Sequence, residues 1–303
     1  MSQPPRLRPH KEAARITQML DTVLGAGRFD HKPMDVASLA LEYSRQISPN
    51  EAIELVEERN LPGCVGALVY GDAKPRRWGI LYDKGQSPGR RAFTIAHEFG
   101  HYILHRHKVD EDHSLADGFY CDDEAVVQRD GIGIEEEADT FAADLLMPLH
   151  GMRGQLAGGS RADFDQLGKL AERYGVSLEA AIIRWLEYTE TRAMLIVSNE
   201  GFAKWAKPSR PALRSGRYIR TKNEVFELPA MACAVTRDFT EATKSGIDQA
   251  AGIWFSEPVI EMCFRSDRYD QEYTLLHFER QRDWPLDEDS QPDCVDRFAG
   301  NNS

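Results

Sequence analysis

No run of apolar residues in this 303-residue sequence approaches the roughly 20 needed to cross a bilayer, so no membrane-spanning segment and no membrane partner are expected. The opening residues, Met1-Ser2-Gln3-Pro4-Pro5-Arg6-Leu7-Arg8, lack the hydrophobic core of a secretory signal. Cysteine is scarce. Cys64, Cys121, Cys233, Cys263 and Cys294 are odd in number and widely scattered, with no Cys-x-x-Cys pair. That pattern reads as reduced thiols and a cytoplasmic protein, with a redox role for Cys121 the one exception weighed. No internal repeat is evident. Basic residues are nearly missing from one segment: residues 109–144 hold thirteen Asp and Glu against Arg129 alone, a balance of −12 that equals the net charge of the whole chain. A solvated acidic loop is the plain reading, and a negative rim that steers in a basic partner is the other.

What is present is concentrated in Ile95-Ala96-His97-Glu98-Phe99-Gly100-His101-Tyr102-Ile103-Leu104-His105. On a helix, His97 and His101 lie on one face with Cβ atoms about 5–6 Å apart. Two imidazoles so placed can grip one cation at about 2.0–2.1 Å. Glu98 projects roughly a quarter turn away, badly placed to ligate but able to take a proton from an attacking water. The apolar neighbours Ile95, Phe99, Ile103 and Leu104 bury this helix, and a buried pair of histidines with a carboxylate needs compensation that a metal supplies. Gly100 costs about 1 kcal/mol against Ala in a helix, which suggests that a strand or substrate must approach there.

A third ligand is needed. His105 lies about 12 Å along the helix from His97, too far to share one cation, and reads as a supporting or core residue. Residues 134–148 form a second helix with the apolar stripe Ile134, Ala138, Phe141, Ala142, Leu145 and Leu146. Glu135 sits on that stripe and is the preferred ligand. Glu136 and Glu137 are expected nearer solvent, and either remains an alternative.

These residues resemble the ImmA/IrrE metallopeptidases. The resemblance is carried by Arg90, Phe93, Thr94, Ala96, His97, Glu98, Gly100 and His101, then by Glu135, Asp139, Ala142, Ala143, Leu145, Leu146, Met147 and Pro148. It covers roughly residues 30–190. It implies His97, His101 and Glu135 as metal ligands, Glu98 as general base, and zinc as the ion, with manganese or iron also suited to two histidines and a carboxylate. Ala92 stands where relatives often carry Arg, and Asp139 where Asn is common. Neither departure removes a ligand. The resemblance further implies a protein substrate, a helix-turn-helix repressor of the XRE type, whose cleavage releases stress or mobile-element genes.

The expected fold is α+β: a mainly helical zincin-like peptidase core with a small antiparallel sheet, a helical helix-turn-helix-like segment, and a small α/β C-terminal domain, possibly GAF-like. Expected units are an N-terminal helical extension (1–30), the peptidase core (31–150), the helical segment (151–190), the C-terminal domain (191–283) and a disordered tail (284–303). Helices are expected over 11–24, from 33 onward through Tyr43, and over 51–58. Strands are expected at 65–70 and 78–82, where an unpaired edge could hold an extended peptide. Strands are also expected at 193–197 and 274–278. Leu167, Leu170, Ala171, Val176, Ala180 and Ile183 resemble a helix-turn-helix, but few basic residues accompany them, so packing that completes the core is the preferred reading and direct nucleic-acid binding is not expected. The locally basic stretch from Lys204 to Arg220, with Trp205 and Tyr218, reads first as a solvated face. The reading set against an endopeptidase is a non-catalytic, metal-stabilised module that binds a repressor or DNA.

Overall fold

The computed structural model describes residues 7–30, 32–71, 73–115, 117–121, 132–221, 224–267 and 269–279. The expected tail, Cys294 and the middle of the acidic segment (122–131) lie outside these residues.

Helix α1 (Pro9–Leu24) starts on a proline, whose missing N–H would be unpaired in a first turn anyway, and buries Ala13 and Ile16. Helix α2 (Val36–Ile47) is capped by Asp35, whose carboxylate accepts the Ser38 N–H. The expected helix over 51–58 is instead strand β1 (Ile53–Arg59). Seven residues held between Pro49–Glu51 and the Leu61-Pro62-Gly63 turn are too few for a stable helix. β3 (Trp78–Asp83), by contrast, offers the segment a ladder along its length. β2 (Gly66–Tyr70) and β3 form the expected hairpin.

β4 (Phe119–Cys121) completes a sheet of order β1-β3-β2-β4. This sheet is mixed rather than antiparallel. The turn at 60–65 sends β1 and β2 in opposite directions, and β3 inserts between them, so it is antiparallel to β2 and parallel to β1. The edge of β2 is covered over Gly66–Leu68 by β4, which amends the expectation of a free strand edge there.

Across this sheet lies α3 (Pro88–His105), capped by Ser87 and buried without interruption from Thr94 to His105. α4 (Ile132–Leu146) packs on α3, and α5 (Leu149–Gln155) follows Pro148. α6 (Phe164–Tyr174) and α7 (Leu178–Tyr188) are joined through Gly175, which takes the left-handed conformation that favours glycine. α7 has no exposed residue along its length, and the α6–α7 turn lies against Gly89 at the start of α3.

The C-terminal part is an antiparallel six-stranded sheet, order β7-β6-β5-β10-β9-β8. Its strands are β5 (Ala193–Asn199), β6 (Phe202–Pro208), β7 (Phe226–Glu227), β8 (Ile247–Gln249), β9 (Val259–Ser266) and β10 (Gln271–Phe278). The short helices α8 (Arg210–Arg214), α9 (Cys233–Thr236) and α10 (Glu241–Ser245) accompany it. One face of the sheet, through Leu195, Val197 and Leu275, joins the same apolar core as α1, α3, α4 and α7. Its other face builds a separate core from Met194, Ile196, Trp254 and Leu276. The basic stretch on β6 and beyond is partly engaged, Lys207 with Glu187 and Arg217 with Glu257. Among the described residues the protein is mixed α/β with two sheets.

Candidate metal centre

The close approach of α3 to α4 is set at Gly100. A Cβ there would sit 3.3 Å from the Ala138 backbone and 3.1 Å from the Phe141 ring. The neighbour that glycine admits is therefore α4, not the strand or substrate expected from the sequence. The contact lies one residue before His101 and three after Glu135, so it draws those two side chains together. The strand does come close elsewhere. At Gly66 on β2 a Cβ would meet Thr94 at 2.5 Å and a Glu98 carboxylate oxygen at 2.6 Å. Glycine is what lets β2 lie over the base of the site.

The result is a tight cluster. His97 Nε2 and His101 Nε2 are 3.0 Å apart. Glu135 reaches His97 Nε2 at 3.2 Å through Oε2 and His101 Nε2 at 3.4 Å through Oε1. Ligands about 2.0–2.1 Å from one ion at tetrahedral angles would stand roughly 3.3 Å apart, so this spacing suits a shared cation. A fourth donor, absent from the expected set, joins them. Cys121 Sγ lies 3.2 Å from His97 Nε2, 3.7 Å from His101 Nε2 and 3.6 Å from Glu135 Oε2. Together these four side chains could hold a metal ion. Of the alternatives to Glu135, Glu136 is exposed and Glu137 goes to His105, so neither enters the cluster.

The rings are oriented from behind. His97 Nδ1 pairs with Asp139 Oδ1 at 2.8 Å. His101 Nδ1 meets His105 Nδ1 at 3.1 Å, and His105 Nε2 meets Glu137 at 3.0 Å. A proton order follows if Glu137 accepts from His105 Nε2–H and His105 Nδ1 accepts from His101 Nδ1–H. His101 Nε2 is then left bare toward the cluster, as a ligand must be, and Asp139 does the same for His97. Glu137 was expected near solvent. It is instead half-buried, because His105 supplies a donor that water would otherwise provide.

The electrostatics are those of a cluster built around positive charge. Burial lowers His97, yet its hydrogen bonds to Asp139 and Glu135 outweigh that and raise it to about 10. Burial lowers His101, and with the neighbouring His101 it takes His105 down to about 4. Glu135 loses by burial, but the two histidines pull its carboxyl well below the usual range. The Cys121 thiol is pushed far up, first by burial and then by Glu98 and Glu135. Glu98 is wholly buried, and neither of its oxygens has a hydrogen-bond partner. Burial raises it to about 7 against the opposing pull of His97 and of the nearby Cys121 thiol, which approaches it without good hydrogen-bond geometry.

Beside the cluster lies a cavity of about 1060 Å³. Asp139, Glu136 and Arg90 line one side, and Lys207 and Tyr273 from the C-terminal sheet line the other. The cluster and this cavity thus meet at Asp139, the second carboxylate of the His97 ring.

Residues 55–186 match the family model of the IrrE N-terminal-like domain, a peptidase family. No curated protein matches the chain. Among solved structures, a Mycobacterium tuberculosis transcriptional regulator is similar, with a TM-score of 0.50 and 16% identity over 89% of this chain and 76% of that one. At that identity the likeness concerns fold alone. Every residue of the candidate centre lies inside the matched span, so over residues 55–186 the chain is similar to the IrrE N-terminal-like domain that its sequence resembles.

Proposed function

We propose that this protein is a zinc-type metalloendopeptidase in which His97, His101 and Glu135 hold the ion and Glu98 is the general base. A bound divalent ion would polarise the scissile carbonyl and make a water acidic enough to attack at neutral pH. Glu98 would accept that water's proton and deliver it to the leaving amine. Asp139 and His105 would hold the two imidazoles in the tautomers that present Nε2.

One observation carries this reading. A carboxylate with no solvent access and no hydrogen-bond partner is costly to keep, and Glu98 is such a group one residue from a metal-suited histidine. A purely structural centre has no use for it. The non-catalytic repressor-binding module is for that reason the weaker reading. A DNA-reading role for α6 and α7 is weaker still, because no residue of α7 is fully exposed and its partly exposed ones, Leu178, Glu179, Ala180, Ile183 and Glu187, are apolar or acidic.

The substrate we favour is a helix-turn-helix repressor of the XRE type. Such a DNA binder is basic, and the acidic 109–144 segment would steer it electrostatically. The units expected from the sequence are kept in this proposal: a zincin-like core over 31–150, the helical segment 151–190, and residues 191–283 as a C-terminal module whose sheet packs onto that core. The test is incubation of the zinc-loaded protein with repressors encoded beside its gene, read by intact mass. Appearance of two complementary fragments supports endopeptidase action. His97→Ala, His101→Ala and Glu135→Gln should each lose stoichiometric metal. A full load in Glu135→Gln would remove it from the ligand set.

A further inference from the structure

The peptidase reading leaves Cys121 without a role, although its sulfur stands among the ion's presumed ligands. Bonds of about 2.0–2.1 Å to nitrogen and about 2.3 Å to sulfur, at tetrahedral angles, would place N and S roughly 3.6 Å apart. The two N–S separations are 3.2 and 3.7 Å, and the O–S separation is 3.6 Å. His97, His101 and Glu135 stand 3.0, 3.2 and 3.4 Å apart, the last two distances taken to different Glu135 oxygens, and one donor atom from each of the four residues can be chosen so that all lie within 4.8 Å of one another.

Cys121 is not there by the accident of a loose chain. It ends β4, pairs with Gly66, and its carbonyl accepts the Val65 N–H at 2.8 Å. Two residues earlier Phe119 is buried and stacks on the His101 ring at 4.8 Å. At the start of the strand Gly118 adopts φ +104, and a Cβ there would lie 2.3 Å from the Leu68 carbonyl. A turn admitting only glycine, a stacked ring and a ladder pair all direct the thiol inward.

We propose that the Cys121 thiolate is the fourth protein ligand of the ion, and that the three-residue strand β4 occupies the β2 edge that an extended substrate would take. This rests on the metallopeptidase reading and deepens it. Sites with four protein ligands are closed, whereas catalytic ones keep a position open. The resting protein is therefore latent. The base and the covered edge meet at one place, because Gly66, which pairs with Cys121, is also the residue against which Glu98 rests. An extended peptide that displaces β4 from Gly66–Leu68 gains a main-chain ladder. With an ion bound, the same displacement would draw the Cys121 sulfur away from it, breaking the metal–sulfur bond, and the freed thiolate would take up a proton from solvent. Binding of the correct substrate and opening of the site are then one event.

The experiment uses the full chain loaded with cobalt(II). A thiolate on cobalt gives a sulfur-to-metal charge-transfer band in the near ultraviolet, and the wild-type spectrum needs no variant that might fail to fold. Cys121→Ser should abolish the band and retain one cobalt per chain, while zinc affinity falls by more than the roughly 10–100-fold typical of losing an outer partner. Acetohydroxamate, a small chelator that requires an open coordination position, should shift the visible cobalt bands of Cys121→Ser and leave those of wild type unchanged. Metal bound without the thiolate band overturns the fourth ligand and leaves the His97, His101 and Glu135 reading intact. Equal acetohydroxamate binding by both proteins overturns the closed resting state. A chain that takes up no metal at all overturns the underlying peptidase reading along with this one.

Discussion

Two carboxylates among the described residues have no solvent access, Glu98 on α3 and Glu261 on β9, and their surroundings are opposite. Glu261 accepts from the Cys233 backbone N–H at 2.9 Å, from Gln249 at 2.6 Å and from the Trp254 indole at 2.9 Å. It ties α9, β8 and the 250–258 loop to the sheet. Glu98 has no hydrogen-bond partner for either oxygen. The desolvation cost is alike in kind, but at Glu261 it is offset by three fixed donors, and at Glu98 only by the nearby His97 and Cys121 thiol, neither in hydrogen-bond geometry. A buried carboxylate saturated by the fold holds structure. One left open to its surroundings is available for chemistry.

The comparison is broken most sharply by removing each carboxylate. Glu98→Gln should lower peptide cleavage by about 10²–10⁴-fold, the usual contribution of a general base, with metal content unchanged and the urea midpoint no lower than wild type. Cleavage at the wild-type rate would show that the unpartnered carboxylate is not the base. Glu261→Ala should do the reverse. It strands three buried donors, and at roughly 1 kcal/mol or more each it should cost about 3 kcal/mol of stability, read from the urea midpoint, while metal stoichiometry holds. A stability within error of wild type would deny Glu261 its structural role.

Smaller effects sharpen the contrast. Asp139→Ala and His105→Ala should each weaken zinc binding by about 10–100-fold without losing it, because they orient rings and do not ligate. Competition with a zinc indicator would measure this, and complete loss of metal in His105→Ala would make it more than a supporting residue. The smallest effect at neutral pH belongs to His277. Its Nε2 donates to the Ala162 carbonyl at 2.9 Å while Nδ1 is buried without a partner, and burial lowers it to about 4. The folded form therefore resists protonation that the unfolded chain accepts near 6.5. Its contribution is complete above that value and is lost as the pH falls toward 4, by about 1.4 kcal/mol per pH unit. His277→Gln should flatten the dependence of the urea midpoint on pH between 6.5 and 4, and an unchanged slope would remove His277 as its cause.

The difference between Glu98 and Glu261 was invisible in the sequence, since nothing local distinguishes a carboxylate that will meet donors from one that will not. The motif around Glu98 was legible because its geometry is local. His97, Glu98 and His101 take their relative positions from one helix turn, and the apolar residues between them announce burial. Glu135 was legible for the same reason, as the member of an acidic turn that shares the apolar stripe of Ala138 and Phe141. Gly100 signalled a close approach, but the partner it admits, Ala138, lies on another helix. The strand at Ile53–Arg59 was misread as helix because its pattern is ambiguous over seven residues and only β3 resolves it.

By itself the sequence determined which two helices bring the candidate ligands, and which side chains on them face the same way, because helical periodicity and apolar burial act between residues a few positions apart. Only the tertiary structure decided that Glu137 backs His105, that α7 keeps no fully exposed residue, and that the Cys121 sulfur stands within 3.7 Å of both histidines. Those depend on how β4, α3 and α4 are brought together by the Gly66 and Gly100 contacts. Such distances between elements far apart in the chain are set by packing, not by any local rule of spacing.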